Sequence, residues 1–152
     1  MTPSPGQVAP AARLLGFAGL LPQLAAVALV ASGRGEAWLF GRVLALTYGI
    51  VILSFLGGTW WGFAMRRTNG QPALAAVAVL PSLVGVALMI ATQFGLPLSR
   101  SLVLLGSAIA LTLLVDRRLV ATGDAPANWM SLRVLLSLAL GGLTIAAGLL
   151  AL

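Results

Sequence analysis

Five uncharged apolar stretches run through this chain, at residues 14–31, 43–65, 73–91, 101–115 and 134–152, with short polar turns between them. Nothing else in the sequence constrains the fold as much. Water cannot solvate so many long oily segments, and a chain of 152 residues has too little polar material to cover them. The apolar fraction is 60%, the charged fraction is 8% and the mean hydropathy is +1.06, whereas a soluble domain is roughly half apolar and about a quarter charged. Lipid offers the backbone no hydrogen-bond partner, so each segment must satisfy its own amides as a helix. The expected fold is therefore all-α, a polytopic membrane bundle of about five transmembrane helices.

A flexible tail is expected over residues 1–12, which hold three prolines and no apolar periodicity. The single bundle domain then fills 13–152. Its first span, 14–31, is too long for a typical signal-peptide core, and Val30-Ala31-Ser32-Gly33 makes a poor cleavage site, so it reads as a retained helix. The second span, 38–65, is the best defined; its uncharged part alone covers about 34 Å against a hydrocarbon core of about 30 Å. The third, 73–91, follows the breaker cluster Thr68-Asn69-Gly70-Gln71-Pro72 and carries Pro81, which neighbouring helices can accommodate. The fourth is short unless it starts near Leu98, with Arg100 snorkelling outward, so 98–115 is the expected range and Asp116 is drawn to the headgroup boundary. Residues 132–152 form the fifth.

All nine basic residues are arginines standing singly or in pairs between apolar runs. That pattern is a topology signal, not a nucleic-acid footprint, and no nucleic-acid partner is expected. Arg13, Arg66, Arg67, Arg117, Arg118 and Arg133 fall on one side, and Arg34, Arg42 and Arg100 on the other. The positive-inside rule then places the N-terminus in the cytoplasm and the C-terminus outside. Cysteine and histidine are both absent, which removes disulfides, thiolate nucleophiles, imidazole metal sites and histidine haem ligation. No metal or cofactor is expected. With only Glu36, Asp116 and Asp124 as acids, general acid–base catalysis has few candidates, and the chain does not read as an enzyme.

The candidate site residues gather in the second span. Ser54, Gly58 and Gly62 recur every four residues and form a small-residue stripe, with Gly57 beside it. Such a stripe either admits another helix closely or leaves room for a ligand. Gly41, Ala45 and Gly49 make a second stripe. Tyr48 and Trp61 add polar handles; Trp60 and Trp61 suit an interfacial aromatic belt, or stacking on a quinone, pigment or headgroup. Asp116 is the one acid pressed toward hydrocarbon, and such a group calls for a partner. Arg66 and Arg67, on the same side, are the expected partners in a membrane-boundary ion pair; a headgroup contact or a proton-relay step are the alternatives. Gln23, Ser54, Ser82, Ser107 and Thr144 lie near mid-span and would line a polar path if they converged.

The string Tyr48-Gly49-Ile50-Val51-Ile52-Leu53-Ser54-Phe55-Leu56-Gly57-Gly58-Thr59-Trp60-Trp61-Gly62 resembles the hallmark of an uncharacterised family of small bacterial inner-membrane proteins related to transmembrane protein sixty-nine of mitochondria. The fragments from Leu14 to Pro22, Leu80 to Leu83, Asp116-Arg117-Arg118 and Leu132-Arg133 extend the resemblance along nearly the whole chain. Met130 departs from it, standing where a tyrosine is expected after Trp129. The resemblance implies a multi-span bundle in a bacterial cytoplasmic membrane, or its mitochondrial counterpart, and implies no activity. The functional expectation is a non-enzymatic accessory, scaffold or assembly component that docks on a membrane-protein partner or a second copy. A small transporter or channel acting as an oligomer is the alternative.

Overall fold

A computed structural model describes residues 9–33, 35–126 and 128–150. Most of the expected N-terminal tail, Arg34 and the last two residues of the fifth span lie outside the described residues. The described residues form six helical segments: α1 Pro10–Ala18, α2 Leu21–Ala31, α3 Gly35–Ala64, α4 Gln71–Gln93, α5 Leu98–Ala121 and α6 Trp129–Leu149. Together α1 and α2 form one broken crossing, so the five expected spans are present, each long and apolar enough to traverse a bilayer.

Two expectations need correction at the start of the chain. Helix α1 begins at Pro10, so residues 10–12 are helical and not part of a flexible tail; proline at the first helical position has no amide to lose there. The first span is not continuous either. Pro22 offers no N–H to the carbonyl of Ala18, and its ring would collide with that carbonyl in an unbroken helix. The helix stops at Ala18 and resumes at Leu21. The Tyr48 hydroxyl donates to the carbonyl of Gly19, inside the break, which supplies a partner to a backbone group that lipid could not satisfy.

Helix α3 is the hub, touching α2, α4, α5 and α6. Small residues set how closely its neighbours approach. At Gly41 an added Cβ would lie 2.7 Å from Leu29 Cβ and 2.8 Å from the Ala26 carbonyl of α2. At Gly57 it would collide with the Ala78 carbonyl of α4 and sit 3.2 Å from the Pro81 ring. The interior proline of α4 is thus buried against a glycine of α3. Helices α5 and α6 cross where Gly106 and Gly141 meet; a Cβ on Gly106 would be 2.5 Å from the Gly141 carbonyl, and one on Gly141 would be 2.8 Å from the Gly106 carbonyl. Close backbone approach through glycine is the usual packing device where lipid supplies no hydrophobic drive.

The distribution of polarity is that of a membrane bundle. At most 39% of the most apolar window in any span is buried, and Leu15, Phe55, Leu83 and Leu111 are among the many large apolar side chains facing outward. The buried set includes Gln23, Ser101, Thr112, Asp116, Arg133, Ser137 and Thr144. Gln23 Nε2 donates to Thr144 Oγ1 at 2.9 Å, and that hydroxyl donates to the Leu140 carbonyl at 2.7 Å, tying α2 to α6.

Candidate functional site

Helix α5 runs six residues beyond the expected 98–115 range, to Ala121, and so carries Asp116 as an interior helical residue instead of a boundary one. At 1.5 Å per residue Asp116 lies about 7 Å from the end of α5, and Arg133 about 6 Å from the start of the antiparallel α6. The two side chains therefore meet at one depth. Arg133 donates to Asp116 Oδ2 through Nε at 2.9 Å and Nη2 at 2.7 Å, and its Nη2 lies 3.5 Å from Thr112 Oγ1. Asp116 Oδ1 accepts the indole N–H of Trp60 at 2.9 Å and that of Trp129 at 3.1 Å. Asp116 is fully buried, Trp60 is 3% exposed and Arg133 is 8% exposed.

The elements that present these groups follow simple spacings. Thr112 and Asp116 are four residues apart on α5, as are Trp129 and Arg133 on α6, so each pair shares a helix face. The Trp129 ring meets Phe63 of α3 edge-on, with centroids 5.4 Å apart. Four donors thus saturate both oxygens of one carboxylate and join α3, α5 and α6. Chemically the cluster is an ion pair with a saturated carboxylate: removing the carboxylate from water is compensated by a cation and by hydrogen bonds to its remaining lone pairs.

The expected pairing of Asp116 with Arg66 or Arg67 is overturned. Both arginines lie past the end of α3, beyond the depth of Asp116. Arg66 is exposed, and the structure pairs it with no carboxylate among the described residues. Arg67 instead bonds Asp124, its Nε donating to Oδ1 at 2.6 Å and its Nη2 to Oδ2. The C-terminus of α5 builds this second pair. Gly123 takes a positive φ of 77°, its N–H bonds the Val120 carbonyl at 3.1 Å, and the Asp124 N–H bonds the Leu119 carbonyl at 2.9 Å. That double reversal is a Schellman cap, and it turns Asp124 back toward the α3–α4 loop. The hydrogen bond from Arg67, then that from Thr122, holds the Asp124 carboxyl at about 2, below its ordinary 3.8, and the same pairing raises Arg67.

The second-span candidates separate onto two faces of α3. Gly57 is buried against α4, while none of the described residues stands within 4 Å of a Cβ on Gly58 or Gly62. Trp61 is 46% exposed on the same outward side. Ser54 is half-buried, and its hydroxyl makes no hydrogen bond among the described residues. Tyr48 faces the break in the first span. Trp60, expected in an interfacial belt with Trp61, points instead into the Asp116 cluster. The other stripe is consumed internally, Gly41 against α2 and Gly49 against Leu105. Arg133 and Thr112 are the residues that sequence reasoning missed. Arg133 reads as a topology charge, and only matching its depth to that of Asp116 reveals the pair.

This geometry defines a five-span membrane helix bundle pinned near one end by a buried ion pair whose carboxylate is saturated with donors. The chain belongs to the family described as a protein of unknown function, DUF3429, whose model matches residues 8–150. No curated protein and no solved structure matches it.

Proposed function

We propose that the protein is a non-enzymatic membrane component, an accessory, scaffold or assembly factor that docks laterally on another membrane helix. The observation that carries this reading is the outward face of α3. No described residue stands within 4 Å of a Cβ on Gly58 or Gly62, and half-buried Ser54, one turn earlier on this four-residue small stripe, has a hydroxyl with no hydrogen bond among the described residues. A serine in lipid gains by bonding to a neighbouring helix. The extramembrane turns are short, which leaves lateral contact as the mode of action.

The mid-span polar residues do not favour a conducting path through one copy. Gln23 is bonded to Thr144, Ser107 to the carbonyl of Val103 in its own helix, and Ser54 is half-buried with no polar partner among the described residues. The setting we infer is a bacterial cytoplasmic membrane, with the end bearing Arg13, Arg66, Arg67, Arg117 and Arg118 inside; arginine asymmetry supports the sidedness, and the resemblance to the family related to mitochondrial transmembrane protein sixty-nine supports the compartment.

The test is co-purification in mild detergent with quantitative mass spectrometry, comparing the wild type with Gly58→Leu/Gly62→Leu. A stoichiometric partner, or a second copy, is expected with the wild type and is lost from the variant while its melting temperature is kept. A lone monomer from both preparations would sink the reading.

A further inference from the structure

Beneath the broken first span lies a cavity of about 330 Å³, within the size range of small-molecule sites. Its walls are apolar, with Leu15 and Leu20 on one side and Phe55 and Leu136 on the other, and its polar end is formed by Arg133 and Ser137. Two features there are unspent. Ser137 is 2% exposed, yet its hydroxyl has no hydrogen-bond partner among the described residues. Arg133 uses Nε and Nη2 on Asp116, and its Nη1 makes no hydrogen bond among the described residues. A buried donor left without an acceptor is costly, and more so in a low dielectric.

From this cavity we infer a binding site for a neutral, membrane-soluble amphiphile whose carbonyl oxygen accepts from Arg133 and Ser137 and whose hydrocarbon body lies along Leu15, Leu20, Phe55 and Leu136. Charge decides the class. Asp116 already neutralises Arg133, so a carboxylate or phosphate ligand would leave a net negative charge buried among apolar walls, whereas a neutral acceptor adds none. An ammonium head would likewise leave a net positive charge beside the already neutral pair. Access is from the bilayer: α1 contributes no buried residue, and Phe55, at the rim of the cavity, is 64% exposed. A quinone ring and the ester carbonyl of an acylglycerol share this chemistry.

The full chain in phosphatidylcholine nanodiscs is photolabelled with a long-chain alkyl ketone carrying a diazirine, and the adducts are mapped by mass spectrometry. Saturable labelling of Leu15, Leu20, Phe55 and Leu136 is expected. Ser137→Ala should lower labelling by about five-fold at unchanged melting temperature, the worth of one neutral hydrogen bond. Competition by a decyl-substituted benzoquinone assigns the site to quinones, and competition by a diacylglycerol assigns it to acyl esters; decanoate at neutral pH should compete at least about ten-fold more weakly than the better of the two. Adducts spread over outward residues such as Leu83 and Leu111, or equal competition by decanoate, overturn the proposal. So does a Ser137→Ala variant that labels like the wild type. The mapping uses the unmodified protein, so it decides even where a variant fails to fold.

Discussion

Arg133 holds one oxygen of Asp116 twice, through Nε at 2.9 Å and Nη2 at 2.7 Å, across the α5–α6 interface and away from water. Removing one member of a buried pair leaves the other charge uncompensated, at a cost of about 3–5 kcal/mol, whereas replacing both by uncharged groups is far milder. Asp116→Asn and Arg133→Met should each lower thermal stability strongly, and the double variant should be more stable than either single one. Melting in detergent, arranged as a double-mutant cycle, checks this; additive losses would show that the two residues are not coupled.

The two indoles on Asp116 Oδ1 are hydrogen bonds to a charged acceptor, each worth about 1.5–3 kcal/mol. Trp60→Phe and Trp129→Phe keep most of the ring packing and delete one donor each. Both should destabilise the bundle by that order, with Trp60 the more sensitive because it is buried. Tryptophan emission should also fall in each variant through the loss of one indole, while the remaining indole keeps its place.

Asp124 provides the pH-dependent element. Its folded carboxyl titrates at about 2 against an ordinary 3.8, because Arg67 and Thr122 bond the charged form. A depressed folded value means that the unfolded chain binds the proton more readily, so the contribution is fully present above about pH 4 and is lost as acid takes the pH from 3.8 toward 2. Comparing melting temperatures of the wild type and Asp124→Asn between pH 6 and pH 2.5 checks it. The gap between them should narrow through that window, and a gap independent of pH would contradict the assignment.

How much of this was legible in the sequence differs between levels. Five spans followed from apolar length alone, because lipid leaves the backbone no alternative to helix. The break in the first span was hidden, although Pro22 marked it, because interior prolines are tolerated in membrane helices; Pro81 stays inside α4 while Pro22 ends α1. The small stripes were visible, but a spacing of four residues does not say which stripe faces inward. Gly57 and Gly58 are adjacent and lie on opposite sides of that question. The partner of Asp116 is not legible from sidedness alone, because depth decides it: extending α5 through Asp116 brings Arg133 level with it and leaves Arg66 and Arg67 beyond it.

The two neighbouring glycines of α3 give the sharpest contrast for mutagenesis. A methyl group on Gly57 meets the Ala78 carbonyl and the Pro81 ring, and neither can yield without moving α4. Overpacking of that kind costs about 1–3 kcal/mol, so Gly57→Ala should lower the melting temperature clearly. The same change at Gly58 meets none of the described residues within 4 Å, and alanine is the better helix former, so Gly58→Ala should leave stability unchanged or slightly raised. Melting curves of the two variants in the same detergent decide the matter. Equal losses at both positions would mean that the outward stripe is packed against something already present in the purified protein, and a loss at Gly58 alone would mean that Gly58, and not Gly57, faces α4.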